Sequence, residues 1–245
     1  MKRKIVLQQA NNSTDMSVTN TLGTQLQELL RDVLNYDIDG RYLFAGSRSQ
    51  TLPVSDLPTL NTNNQTEVTQ WLSGAITTQQ LTDNVDAFTT SQLGFDATLA
   101  TSGSVTAHID TSLEVDYTVI ADSSGMDKLM RAFGLAANLT FPNPATDVPD
   151  ATDVQAVLDY IDDLLKDGAA EAEASVQELG GQLTLMESIQ QNHQQDLQIF
   201  QLQIDRMENA DTTEAIAKLQ ILQTQLSASY QVTNIVSQLS LVNFL

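Results

Sequence analysis

The chain has 245 residues, with 11 Lys and Arg against 31 Asp and Glu, a net charge of −20, and no cysteine. That sign excludes a phosphate-rich partner such as nucleic acid and disfavours docking on an anionic membrane surface. The absence of thiols excludes disulfides and cysteine–metal sites. Only 17% of residues are charged, while Gln, Asn, Ser and Thr are abundant, a composition suited to repeated protein–protein contact.

The opening MKRKIVLQQANNS is basic, but its apolar run is only Ile5-Val6-Leu7, too short for a cleavable secretory signal. No run in the chain approaches the eighteen or so apolar residues of a membrane span. Residues 2–10 read as the end of a helix, followed by a loop at Asn11–Thr14. A second helix is expected from about Asp15, with Leu22, Leu26, Leu29 and Val33 as its buried stripe, widened by Leu30 and Leu34. Gly23 is expected to weaken it by about 1 kcal/mol relative to Ala. The helix should end near Asn35, with Asp37-Ile38-Asp39-Gly40 as a turn and Tyr42–Phe44 as a strand or hairpin arm.

Residues 59–124 are dominated by Thr, Asn, Gln and Asp, and helical periodicity is poor. The segment 67–81 fits a short helix or a strand–turn–strand equally well. Leu93–Ala100 reads as a strand. Val105, Ala107 and Ile109 alternate with polar residues, as do Leu113, Val115, Tyr117 and Val119. This predicts a half-buried antiparallel hairpin with an acidic outer face and a turn at Asp110-Thr111-Ser112. Residues 47–124 are therefore expected to form a small β-rich outer domain.

A helix follows over Met126–Leu139, with Leu129, Met130, Phe133 and Ala137 on one face. Pro142, Pro144 and Pro149 mark a loop. A further helix begins at Thr152-Asp153 with Val154, Val157, Leu158, Ile161, Leu164 and Leu165 as its apolar face, and Gly168 breaks or softens it. From Ala169 to Met207 the stripe Met186, Ile189, His193, Leu197, Phe200, Ile204 and Met207 steps by three and four, which predicts packing along another long helix. The last forty residues, from Arg206, contain no Gly or Pro. Ile216, Leu219, Leu222, Leu226, Tyr230, Ile235, Leu239 and Val242 recur at helical spacing, and no charged side chain follows Gln220. Such a helix is suited to being surrounded by other protein, as in an ordinary terminal helix docked on its own domain or in contact with other subunits.

Little in the chain points to catalysis. Asn35-x-Asp37-x-Asp39-Gly40 matches the first half of a calcium loop, but its twelfth position is Gly46 where a bidentate Glu is needed, so a plain turn is expected. Asp110, Glu114 and Asp116 alternate along a strand and read as a solvated face. His108 and His193 have no nucleophile-elbow serine to serve, and His193 reads as a helix-packing residue. Trp71, the only tryptophan, is core filler or, alternatively, a ligand platform. Gly180-Gly181 lacks the strand of a phosphate-binding loop. The chain is read as non-enzymatic, with no cofactor and no metal.

Two stretches carry a resemblance. Met207-Glu208-Asn209-Ala210-Asp211, Glu214-Ala215, Lys218-Leu219, Ala228-Ser229-Tyr230-Gln231 and the ending Gln238–Leu245 resemble the C-terminal segment of the flagellin family. The ending is nearer the hook-associated proteins of the hook–filament junction than filament flagellins. A helix ending at Asn35 and followed by Gly40-Arg41-Tyr42-Leu43-Phe44-Ala45-Gly46 resembles the segment that opens the domain insertion in the same proteins. The resemblance implies an α+β fold: an elongated long-helix rod, coiled-coil-like, with the inserted β-rich outer domain and a C-terminal axial helix. On this reading residues 1–46 and 125–209 form the rod, 47–124 the insert and 210–245 the axial helix. In the family an N-terminal axial helix and a first rod helix precede the segment that begins here at Lys2. The resemblance also implies the subunit interface, formed by Ile216, Leu219, Leu222, Leu226, Tyr230, Ile235, Leu239, Val242, Phe244 and Leu245. The implied partners are copies of the chain, neighbouring hook-associated and flagellin subunits, and an export chaperone. The implied place is the extracellular flagellum, reached by type III export without a cleavable signal. A filament flagellin is the alternative within the family. An adhesin or carbohydrate-binding module carried by residues 47–124 is the alternative outside it.

Overall fold

The computed structural model describes residues 16–110 and 113–242. It is helix-rich with two small two-stranded sheets. The elements are α1 (Ser17–Leu34), β1 (Asp37–Ile38), β2 (Arg41–Tyr42), α2 (Leu57–Leu72), α3 (Thr78–Asp86), β3 (Thr106–Asp110), β4 (Leu113–Asp116), α4 (Ser124–Asn138) and α5 (Ala151–Val242). The chain divides into a first compact unit that ends at Thr184 and a second from Leu185 to Leu245.

The first unit is built around α4. Its residues from Met130 to Ala136 are all buried, which requires neighbours on every side of the helix. One neighbour is α1. A Cβ placed on Gly23 would lie 2.6 Å from the backbone nitrogen of Ala137, so the two helices touch backbone to backbone. Asn20 reaches across from α1, its Nδ2 donating to the carbonyls of Ala136, Ala137 and Leu139 at 2.9–3.1 Å. These are carbonyls that the end of a helix leaves without intrahelical partners. Gly23 is thus a point of close approach, which the sequence expectation of a mere weakening missed.

On another side runs the first part of α5, whose Val154, Val157, Leu158, Ile161 and Leu164 are buried as their spacing predicts. Asp150 caps α5, its Oδ1 accepting from the amides of Thr152 and Asp153. The carboxylate of Asp153 reaches back to the amide of Asp150 at 3.0 Å. Gly168 does not break the helix. A Cβ there would lie 2.9 Å from the carbonyl oxygen of Gly125, so Gly125 and Gly168 mark a close crossing of α4 and α5.

The expected β-rich domain over 47–124 is corrected by the structure. Residues 57–86 are mostly helical, and Leu93–Ala100 is not a strand: short 3-10 turns lie at Thr90–Leu93 and Leu99–Thr101. Of this stretch only Phe95 bridges, to Val54. The signals for helix were local. Asp56 caps α2 through the amide of Thr59. Thr77 with Gln80 and Thr89 with Gln92 form reciprocal capping boxes, an arrangement that satisfies two orphan amides at a helix start. The buried positions Leu57, Leu60, Asn64, Val68 and Trp71 step by three and four, but the polar Asn64 within them masks the stripe. Nor do boundaries near 46 and 124 separate cores. Val54, Leu60, Trp71, Leu81, Val85 and Leu99 join Met130, Leu135, Val157 and Ile161 in one cluster.

The expected hairpin is present as β3–β4, with His108 opposite Glu114 and Ala107 opposite Val115. Its alternation holds: Val105, Ala107 and Ile109 are partly covered and His108 is exposed. Val115 is buried, but beyond the end of β4 the alternation fails: Tyr117, expected on the covered face, is 46% exposed. The turn at Thr111-Ser112 and the reading of residues 2–10 lie outside the described residues.

The turn after α1 is also as expected. Asp39 and Gly40 both adopt positive φ, 52° and 77°, between β1 and β2, the geometry for which a two-residue Asp-Gly loop is suited. Asn35 closes α1 and pairs with the backbone of Val54, donating from Nδ2 and accepting at Oδ1, both at 2.8 Å. The following segment is a junction. Phe44 O accepts from the amide of Ala121, and Ala45 O from the hydroxyl of Ser102.

Candidate functional site

The expected catalytic and metal candidates do not converge. Among the described residues no group of three His, Cys, Asp or Glu could hold a metal ion. Asp37 is instead a turn residue, accepting from the amide of Gly40 at 3.0 Å. His108 sits on an exposed edge of the hairpin, its Nε2 2.7 Å from Glu114, and His193 is exposed on α5. Trp71 is 1% exposed, which rules it out as a ligand platform. Its Nε1 donates to Thr78 Oγ1 at 3.1 Å, and that hydroxyl donates to Asp153 Oδ1 at 2.6 Å. The relay ties α2, α3 and α5 together and holds the Asp153 carboxyl below its usual range, the Thr78 hydroxyl being the main cause. The other aromatic residues of 47–124 are Phe88 and Phe95, both in the core, and Tyr117. Of these three only Tyr117 is exposed.

A cleft in the first unit is lined by Asp116, Thr118, Ile120, Asp122, Ser175 and Glu178, among others. Burial raises the pKa of Asp122, whereas hydrogen bonds from Ser104 and Thr118 lower that of Asp116. Ser123 and Ser175 share the lining with these carboxylates.

What stands out instead is uncovered apolar surface. In the second unit, Leu197, Phe200, Ile204 and Met207 are 45–67% exposed. The coiled-coil-like stripe expected there therefore has no packed helix against it among the described residues. Further on, Ile216, Leu219, Leu222, Leu226, Tyr230 and Ile235 are 57–65% exposed. From Gln190 to Gln238 every side chain whose burial is described is exposed. Leu239 and Val242 belong to α5, but their side chains, like Phe244 and Leu245 altogether, lie outside the described residues. The helix is continuous across the expected boundary at 209/210. No helix among the described residues is long and apolar enough to cross a membrane, so this surface is not a span.

A second uncovered surface lies on α1, and it corrects the expectation for that helix. The buried residues of α1 are Thr19, Gly23, Gln27 and Leu34, whereas Val18, Leu29 and Val33 are 47–59% exposed. Of the expected stripe Leu34 is buried, Leu30 packs on the core and Leu22 and Leu26 are half-buried, while Leu29 and Val33 turn outward. The reason is the seam with α4: Gly23 permits backbone contact that no leucine would allow, so the small and polar side of the helix faces in. Tyr36, Ile38 and Leu43 extend the exposed apolar surface.

Comparison of the chain with protein-family models, with curated proteins and with solved structures finds no match.

Proposed function

We propose that the chain is a non-enzymatic structural subunit that assembles through the apolar surface of α5, and that it is a flagellin-family protein of the hook-associated protein 3 type, placed at the hook–filament junction. The observation that carries the reading is the α5 surface. A helix with this many large apolar side chains more than half exposed lacks the tertiary packing that supplies most helical stability. Contiguous exposed apolar surface of this kind marks a protein contact. The motifs over Asn35–Gly46 and Met207–Leu245 direct the choice among self-assembling proteins. The rod-like, coiled-coil character belongs to the assembled state, in which α5 packs axially against neighbouring copies and against hook-associated and flagellin subunits. Delivery is unfolded, through the flagellar type III channel with an export chaperone, to an extracellular position.

Immunogold labelling of isolated flagella tests the placement. Label confined to the short zone between hook and filament is expected. Label along the whole filament would instead make the chain a filament flagellin, and flagella without label would remove it from the organelle altogether.

A further inference from the structure

We propose that Asp39 is a site of spontaneous backbone modification, at which the β1–β2 turn converts from an aspartyl to an isoaspartyl linkage as the protein ages. This chemistry is independent of how the chain assembles. The dipeptide Asp-Gly occurs twice, at Asp39-Gly40 and at Asp167-Gly168. A glycine after aspartate places no side chain in the way, so its amide nitrogen can approach the aspartyl carboxyl closely. The two copies are alike in sequence and opposite in setting. Asp39 and Gly40 are both exposed, and nothing lies within 4 Å of a Cβ placed on Gly40. Asp39 has a φ of 52°, a conformation that L residues enter only at a cost, so leaving it loses little. The flanking hairpin consists of the pairs Asp37–Tyr42 and Ile38–Arg41, and so short a hairpin opens readily. Asp167-Gly168, by contrast, lies inside α5. Gly168 is buried, and a Cβ there would lie 2.9 Å from Leu129 Cγ as well as from the Gly125 carbonyl oxygen. Closing a ring on Asp167 would break helical hydrogen bonds and pull Gly168 away from α4.

The reaction needs no co-reactant but water. The amide nitrogen of Gly40 attacks Asp39 Cγ, and a C–N bond forms. The amide hydrogen and the carboxyl hydroxyl leave together as water, which gives a cyclic succinimide. The amide N–H already donates to Asp37 Oδ2 at 3.0 Å, so an acceptor for its proton stands beside the attacking nitrogen. Water then adds back across either C–N bond of the ring. Opening at Cγ restores the aspartate. Opening at the main-chain carbonyl leaves Gly40 joined to Cγ and frees the α-carboxylate, so the backbone runs through Cβ and is longer by that atom. The length of the loop fixes the register of a hairpin, so the longer linkage undoes the pairing of Asp37 with Tyr42 and of Ile38 with Arg41.

Heavy-oxygen water reads the reaction, because each ring opening leaves a labelled oxygen in the chain. The full, folded chain is kept in near-neutral heavy-oxygen buffer, sampled over weeks and digested with trypsin in ordinary water. Cleavage after Arg31, Arg41, Lys166 and Arg206 places Asp39 in the peptide 32–41 and Asp167 in the peptide 167–206. Fragmentation of the peptides locates the label and the isoaspartate. Both are expected at Asp39, with conversion at Asp167 slower by about tenfold or more, since a packed helix opens less often than a surface turn. In guanidinium chloride the two sites should convert at similar rates, which makes the difference a property of the fold. Asp39→Ala should leave the peptide 32–41 unlabelled. Equal conversion of the two sites in the folded chain would overturn the proposal. So would label at Asp37 in place of Asp39, or no conversion at Asp39 over a period in which the unfolded chain converts.

Discussion

Replacing Gly23 with Ala lowers the unfolding free energy of the first unit by about 2 kcal/mol, even though alanine is the better helix former. Two effects oppose each other. Alanine at an exposed helical position gains about 1 kcal/mol over glycine. At Gly23, however, the new methyl meets backbone: Ala137 N at 2.6 Å, with Ala136 C and Ala137 Cα at 3.0 Å. Backbone cannot rotate aside as a side chain can, so α1 must move off α4. That movement stretches the three hydrogen bonds from Asn20 and loosens the seam, and overpacking of this sort costs about 1–3 kcal/mol or more. Gly180 and Gly181 provide the contrast. Nothing lies within 4 Å of a Cβ at either, so alanine there costs no packing and raises helicity, with a gain of about 0.5–1 kcal/mol each. Urea unfolding followed by the emission of Trp71, the single and buried tryptophan, measures the Gly23 effect. A Gly23→Ala chain as stable as the parent would mean that the α1–α4 approach is not as close as described.

Arg131→Leu is expected to cost about 3–5 kcal/mol, the range for removing one partner of a buried ion pair. The arginine is 8% exposed and sits on α4. Its guanidinium pairs with Asp127 one turn earlier and donates to the carbonyls of Val85 and Phe88 at the end of α3. Leucine fills the volume but takes the guanidinium away from the carboxylate and from the Phe88 carbonyl, while Val85 O keeps the amide of Phe88. Tyr160 secures the same corner from α5, its hydroxyl 2.6 Å from Asp86. Burial, reinforced by that carboxylate, pushes the phenol pKa upward. Because Arg131 and Asp127 act together, Arg131→Leu with Asp127→Leu should cost less than the sum of the two single changes. Additive costs would show that Arg131 and Asp127 act independently, and a loss below about 1 kcal/mol for Arg131→Leu would show that the arginine holds nothing in place.

The sequence was legible where one face of an element meets the core through large apolar residues. Val154–Leu164 on α5 and the β3–β4 alternation are of that kind, while the Asp39-Gly40 turn was legible from its residue types. It was opaque where a contact is made by small or polar groups. Asn64 interrupts the apolar pattern of α2, and Thr–Gln capping boxes were overlooked in a stretch read as β-rich. On α1 the stripe is legible through Leu30 and Leu34, but the outward turn of Leu29 and Val33 is not, since periodicity reports that a face is apolar and not what covers it. The same limit applies to the candidate site. Ile216 to Tyr230 announce a helix that wants neighbours, and the chain itself supplies none among the described residues. Treating Ile235 as a continuation of that one stripe hid the step of five from Tyr230, which carries the pattern to the other side of the helix.

On the proposed function α5 is uncovered in the free chain and becomes covered by other copies on assembly. Trypsin reads this directly at Arg206 and Lys218, which lie on the exposed helix, Lys218 being the last charged residue of the chain. A helix without packed neighbours opens locally at low free-energy cost. Rapid cutting at both sites in the dilute chain, slowing as concentration rises, is the result the account predicts. Protection of both sites that is already complete at high dilution would contradict it, because the helix would then be covered without any second copy.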